Sequence, residues 1–369
     1  MILLVSLALV AGWPARIRIE SPRLGMPAIA AAGTAIEVHL ASSLPWVLPR
    51  LELFVESARG AQPLTVTRQS RQGREFVLGA TLPELPDGAY TLHVRTGRQD
   101  LRAAKAVFVR RQWPQRIRLV QVADLPPPGR EPLMRRFTER MRRQQPDAVL
   151  VTGDINYEGS ESNINFVFGQ LATLDMPVIM TAGNHERTGW HRYLRVFGAR
   201  NHRTDLGPLT ILSLDSAHGR DQLTASSFRW LEKELERSAG RGLIIQIHHP
   251  LFPPGPTSSS EAGGTGGYLR GQRRAFLDLC RRFQVAIVLS GHWHQDAVFD
   301  AGGNFRTDRT DFTGTKFVVT TALGADARAL YANSPVRNGY RWIEFIDGTL
   351  RSYGTDSRNP VPSTDLGSP

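Results

Sequence analysis

The chain is poor in three things. It has a single cysteine, Cys280, which excludes an internal disulfide and any zinc cage built from cysteines. Cys280 shares an apolar helical stripe with Phe276, Leu277 and Phe283, the setting of an inert core thiol. Lysine is nearly missing: Lys105, Lys233 and Lys316 are the only three, so 42 of the 45 basic residues are arginines. The net charge of +11 suits phosphate-bearing partners, but the charges are scattered rather than blocked. That favours general surface charge over a nucleic-acid groove. Long apolar runs are also scarce. Ile2 to Trp13 is apolar yet too short to span a bilayer comfortably. Residues 1–15 read as the apolar stretch of an export signal or an amino-terminal anchor, although no Lys or Arg precedes it and no clean A-x-A site follows. The alternative is a first buried strand. Export (periplasmic, extracellular or membrane-anchored) is the expectation, and a cytoplasmic location follows if the run is a strand.

What is present suits a soluble globular protein: 369 residues, 41% hydrophobic and 21% charged, enough for two domains. Residues 16–112 read as short strands at spacings near ten residues, Ala35–Leu40, Leu51–Val55, Leu64–Arg68, Glu75–Leu78, Tyr90–Val94 and Ala106–Val109. This spacing predicts an antiparallel sandwich. The stretch Leu85-Pro86-Asp87-Gly88-Ala89-Tyr90 resembles the tyrosine corner of immunoglobulin-like and fibronectin-like domains, without their paired cysteines.

From Arg116 to Gly354 the pattern changes. Apolar runs (Ile117–Val122, Ala148–Val151, Val178–Met180, Leu243–Ile247, Val285–Leu289) alternate with helical segments. One such segment puts Leu133, Met134, Phe137 and Met141 on a single face, and another does so with Phe228, Leu231 and Leu235. Continuous apolar strands belong to sheets covered on both faces, so a layered α/β domain is expected over 116–354. The Pro/Gly/Ser-rich stretch Pro253–Gly267 follows His248 closely and is placed to shape substrate entry; residues 355–369 form a polar tail.

The chemistry sits where these strands end. Asp124 follows the first run, Gly153-Asp154 the second, Gly183-Asn184-His185-Glu186 the third, His248-His249-Pro250 the fourth and Gly291-His292-Trp293-His294 the fifth. Ligands of open α/β sheets bind at that edge. Five of the ten histidines fall in these clusters, whereas His39, His93, His191, His202 and His218 are dispersed and expected to be solvated or structurally hydrogen-bonded. Two metal ions about 3.5–4 Å apart need a bridging carboxylate and several further O and N donors. Asp154, between Asp124 and Asn184 in the strand series, is the natural bridge.

The succession Asp124, Gly153-Asp154, Gly183-Asn184-His185-Glu186, His248-His249, Gly291-His292-Trp293-His294 resembles the calcineurin-like metallophosphoesterase superfamily over roughly Arg116 to Gly354. The resemblance implies an α/β fold, a four-layer αββα sandwich behind the smaller all-β domain, and hydrolysis of phosphate esters at two metal ions. The first ion would take Asp124, Asp154 and His294. The second would take Asp154, Asn184, His248 and His292. His185 would act as general acid or steady the transition-state charge, with His292 also counted among the catalytic residues. His249 matches no ligand position and would line the substrate pocket or pack.

One departure bears on the metals. Most of the superfamily has a histidine two positions after the first aspartate, where this chain has Pro126. The purple acid phosphatase branch also lacks it and supplies a tyrosine from G-D-x-x-Y, which Gly153-Asp154-Ile155-Asn156-Tyr157 matches. Tyr157 ligation would favour iron, paired with Fe, Zn or Mn; in the alternative, Tyr157 packs at the rim and the first site is one ligand short. The arginine that marks protein serine/threonine phosphatases after the second motif is missing. The expected activity is hydrolysis of phosphomonoesters or diesters. A cyclic-nucleotide phosphodiesterase or nuclease on the same centre, and a catalytically weakened binding module, are the alternatives.

Overall fold

A computed structural model describes residues 16–44, 48–72, 75–97, 99–156, 160–218, 222–252, 269–308, 310–324 and 338–353. Residues 1–15, Tyr157, the stretch 253–267 and the tail 355–369 lie outside the described residues.

The amino-terminal part is built from β1 (Ile17–Ser21), β2 (Ala28–Ala30), β3 (Ala35–Ser42), β4 (Leu51–Ser57), β5 (Gly60–Pro63), β6 (Thr65–Gln72), β7 (Glu75–Thr81), β8 (Gly88–Thr96) and β9 (Asp100–Val109). They form two sheets, β1-β3-β7-β6 and β2-β9-β8-β4-β5. Alternation places Ile36, Val38 and Leu40 of β3 and Tyr90, Leu92 and Val94 of β8 in one shared core. The Tyr90 hydroxyl donates to the Pro86 carbonyl (2.8 Å), the hydrogen bond that a tyrosine corner requires. β6 is an edge strand with its polar residues exposed; it takes up the expected strand from Thr65 and runs on to Gln72, and β5 (Gly60–Pro63) lies before that strand as an additional one.

The second part runs β10 (Arg116–Val122), α1 (Glu131–Gln144), β11 (Ala148–Thr152), α2 (Glu161–Leu171), β12 (Val178–Thr181), a 3₁₀ turn (Asn184–Arg187), α3 (Trp190–Val196), β13 (His202–Leu206), β14 (Leu209–Leu214), α4 (Ala225–Glu236), β15 (Gly242–Ile247), α5 (Arg273–Arg282), β16 (Ile287–Ser290), β17 (Ala297–Phe299), β18 (Lys316–Val319), β19 (Arg341–Ile346) and β20 (Thr349–Ser352). One sheet is ordered β12-β11-β10-β19-β20, the other β13-β14-β15-β16-β18-β17. Ile117, Leu119, Leu150, Ile244, Ile287, Ile343 and Phe345 pack between the two sheets. Val120, Val122, Val149 and Val151 face outward onto Leu133, Met134, Phe137 and Met141 of α1 and Ile164 and Val167 of α2. On the far side Leu243, Ile245 and Ile247 meet Leu231 and Leu235 of α4 and Phe276 and Cys280 of α5. The layers are therefore α, β, β, α, as the continuous apolar strands imply. The helices start where side chains cap them: Ser160 Oγ accepts from Asn163 N–H and Thr224 Oγ1 from Ser227 N–H.

β10, β11 and β12 are mutually parallel, and so are β14, β15, β16 and β18. Their carboxyl ends thus gather along one edge. Gln121 joins the sheets there, its Nε2 donating to Ser290 O (2.9 Å), and Thr181 Oγ1 donates across to Leu214 O (2.6 Å). The two parts of the chain are also tied together: Gly25 N–H donates to Phe197 O, Met180 N–H donates to Gly25 O, and Arg110 pairs with Asp147 at 2.9 Å.

Candidate metal centre

Asp124, just beyond β10, is fully buried, as is Asp154 beyond β11. Both, with His292 and His294 beyond β16, hold left-handed backbone conformations, φ between 51° and 70°. Such conformations cost roughly 1–2 kcal/mol each in an L-residue and persist where the surroundings dictate them. Gly153 (φ 91°) permits the turn before Asp154, and a β-carbon on Gly183 would lie 2.2 Å from Asp154 Oδ1. The loops are pressed together by a residue that the motif reading left without a role. Glu186 accepts the N–H groups of Ile155 (2.9 Å), Asn156 (2.9 Å) and Gly183 (2.6 Å), clasping the loop of Asp154 to the loop of Asn184. Burial and the neighbouring Asp154 push its pKa up to about 7. A buried acid directly after two candidate ligands was the available signal.

Asp154 lies at the centre. Its Oδ1 accepts the His185 N–H (3.0 Å) and its Oδ2 is 3.3 Å from His248 Nε2 and 3.8 Å from His185 Nε2. Burial opposes its charge, but His248 and His185 outweigh that and hold the carboxyl below its usual range. His248 Nδ1 bonds the Thr152 carbonyl (2.9 Å), so its Nε2 faces Asn184 Oδ1 (3.0 Å) and Asp154 Oδ2. Three electron-pair donors meet at that point. The arrangement favours positive charge there: burial lowers the His248 pKa, yet Asp154 raises it more, to about 9.

Asp124 forms the other flank. Its Oδ2 accepts the His292 N–H (3.1 Å), and its buried Oδ1 has no hydrogen bond, with His294 Nε2 at 3.3 Å. Single ligand atoms from Asp124, Asp154 and His248 all lie within 4.8 Å of one another, and so do those from His248, His249 and His292. Burial and the adjacent His249 and His248 hold His292 neutral, leaving a ring nitrogen to coordinate. Orphaned carboxylate oxygen, converging lone pairs and a neutral imidazole fit divalent or trivalent cations. His185 is at the rim, its side chain 40% exposed. His249, buried, packs its ring on His292 (4.5 Å between centroids) and shares a 2.7 Å hydrogen bond between Nδ1 and Ser216 Oγ. Asp215 closes a turn by accepting the N–H groups of Ala217 and His218. Pro126 is buried, and Gly324 N–H donates to Asp124 O beside it (3.1 Å). Asp124, Asp154, Asn184, His185, His248, His249, His292 and His294 are thus linked by contacts at this one edge.

The model of calcineurin-like phosphoesterases matches residues 117–296, from β10 through the last of these clusters. Those residues are a calcineurin-like phosphoesterase domain. The domain belongs to a family of hydrolases that act on phosphate esters. Among curated proteins, the chain is 26% identical to a probable cyclic nucleotide phosphodiesterase of Synechococcus sp., the match covering 58% of this chain and 77% of that one. It is 28% identical to a 3',5'-cyclic adenosine monophosphate phosphodiesterase of Pseudomonas aeruginosa, covering 58% and 76%. Among solved structures, the purple acid phosphatase from yellow lupin (Lupinus luteus) seeds superimposes with a TM-score of 0.59 at 15% identity, over 88% of this chain and 72% of that one. That likeness spans both the sandwich and the phosphoesterase domain, and at such identity it is a likeness of fold.

Proposed function

We propose that this chain hydrolyses a small phosphodiester at a centre of two metal ions. The observation that carries the reading is the convergence of two buried carboxylates, one amide and three imidazoles around Asp154. In this reading both ions would share Asp154, one would be held by Asp124 and His294 with Tyr157 as a further ligand, and the other by Asn184, His248 and His292. Iron with iron, zinc or manganese suits the set, a phenolate favouring the harder cation. When bound, such a pair lowers the pKa of a shared water and offsets charge on the attacking and leaving oxygens.

The chain's own residues supply the rest. His248 and the His185 backbone hold the Asp154 carboxylate in place, and the Thr152 carbonyl fixes the His248 tautomer. His185 is the group that solvent reaches and still lies near Asp154, so it is positioned to donate a proton to a leaving oxygen or to steady charge on a phosphoryl oxygen. His249, held by Ser216, buttresses the His292 imidazole. The names of the similar curated proteins support a diester, cyclic nucleotides among the candidates. Phosphomonoester hydrolysis is the second reading, supported by Gly153-Asp154-Ile155-Asn156-Tyr157 together with Pro126. Export by the 1–15 stretch is part of the same proposal.

Turnover of bis-p-nitrophenyl phosphate set against p-nitrophenyl phosphate separates the readings. Faster diester cleavage is expected; a marked preference for the monoester overturns the substrate class while leaving the centre intact. No turnover of either, in protein shown to hold its metals, points to a binding module instead.

A further inference from the structure

Where the sandwich meets the phosphoesterase domain lies a pocket of about 190 Å³ that the chemistry above does not use. Arg23 and Leu24 enter it from the β1–β2 connection, Arg102 from β9, Asn165 and Phe168 from α2, and Arg195 from α3. Its charge is all of one sign among these residues. Arg23 is the buried member, 9% exposed. Its Nη2 donates to the Ile19 carbonyl, and its Nε is buried with no hydrogen-bond partner. No carboxylate lies within ion-pair distance of Arg23 or of Arg195 among the described residues. The nearby acids are engaged elsewhere: Glu20 with Arg18, Asp100 with Arg102 and His93, Asp175 with Lys105.

A guanidinium withdrawn from water with no paired counter-charge is unfavourable. The Arg23 pKa shows the strain, lowered to about 10 chiefly by burial, with Glu20 opposing and Arg18 and Arg195 adding repulsion. Two arginines that repel each other across a small pocket are the reverse of a self-sufficient ion pair. An anion between them would relieve both the desolvation and the repulsion, and the planar guanidinium matches the oxygen spacing of a tetrahedral oxyanion. The volume is below the ~300 Å³ typical of pockets for larger ligands, so it suits phosphate or sulfate with its water rather than a nucleotide.

We propose that Arg23 and Arg195, with Arg102 at the rim, form a binding site for a small phosphate-type oxyanion that bridges the two domains, separate from the metal centre. Leu24 packs in the core beneath α2 and α3, and Gly25 is hydrogen-bonded to Met180 and Phe197, so the segment presenting Arg23 is anchored to the second domain. An oxyanion there would add a contact whose occupancy, and so its stabilising effect, rises with phosphate concentration.

Crystals of the full-length chain soaked in selenate should show anomalous density between Arg23 and Arg195; density confined to the metal centre overturns the proposal. In solution, inorganic phosphate should raise the melting temperature of the wild-type holoprotein. Arg195→Gln, an exposed position that preserves folding and basal turnover, should weaken that phosphate dependence about tenfold, and Arg23→Gln at least as much. A phosphate dependence unchanged in Arg195→Gln overturns the assignment whether or not Arg23→Gln folds. Glycerol phosphate tests the source: stabilisation equal to that by phosphate supports recognition of the phosphate group alone, and stabilisation by acetate to the same degree contradicts an oxyanion site.

Discussion

At the scale of single residues, the centre depends on atoms held closer than side chains ordinarily tolerate. Gly183 is the sharpest instance, because any β-carbon there collides with Asp154 Oδ1. Gly183→Ala should therefore reduce turnover by about a hundredfold or more while circular dichroism stays native; wild-type activity in the variant would contradict the packing of the two loops. Asp154→Asn keeps the volume but removes the shared charge, and the same loss of activity with an intact fold is expected. His202 gives a prediction away from the chemistry. Its ring is fully buried and burial drives its pKa down to about 4 from 6.5. The folded state thus binds the proton more weakly than the unfolded state. The stabilisation is complete above about pH 6.5 and is lost as pH falls toward 4, by about 3 kcal/mol at the limit. Melting temperatures should fall more steeply over that window in the wild type than in His202→Leu; parallel curves would show that His202 is not buried neutral. The sequence reading placed His202 among solvated or structurally bonded histidines, and its burial was hidden because an alternating edge strand, His-Arg-Thr-Asp-Leu, looks polar.

At the scale of elements, legibility follows periodicity. β10, β11, β12, β15 and β16 were visible because strands covered on both faces are largely apolar, and the motif residues stand just after each run. β17, β18 and β20 were not read from the sequence, and β19 escaped because its alternate residues are half-exposed. The 3₁₀ turn was readable as a source of Asn184 and His185 but not as a clasp, since two of the three partners of Glu186, the N–H groups of Ile155 and Asn156, are backbone groups about thirty residues away. Glu186→Gln keeps the size but replaces an acceptor oxygen with a donor, so one N–H contact becomes a repulsion. Metal affinity should drop about 10–100-fold with the domain still folded. Unchanged metal retention on dialysis would remove Glu186 from the account. In the sandwich, Tyr90→Phe should cost about 1 kcal/mol through loss of the bond to Pro86, read as a lower denaturation midpoint. No change would reduce the corner to a sequence coincidence.

At the scale of the whole molecule, two folds share one chain, and the tie between them runs through the β1–β2 segment, β9 and the strand and helix ends it meets. Among the described residues, the sandwich contributes none to the candidate metal centre, which lies where strands of both phosphoesterase sheets end. Substrate choice is the least legible level: it depends on loop shape, for which residue types carry no code, and Pro253–Gly267 follows His248 closely. The metals are more accessible to argument, because ligand chemistry is written in residue identity. If Tyr157 binds iron, the purified protein absorbs visible light and Tyr157→Phe loses that band, whereas a colourless, fully metallated and active wild type would rule tyrosinate out.

The central claim is that Asp154 is shared by two cations. Elemental analysis of the purified full-length chain, with Asp154→Asn alongside, tests it most directly. The account predicts about two metal ions per chain in the wild type and loss of both, or of all but a residue of one, in the variant. One ion per chain in the wild type, or full retention of two in Asp154→Asn, would contradict it.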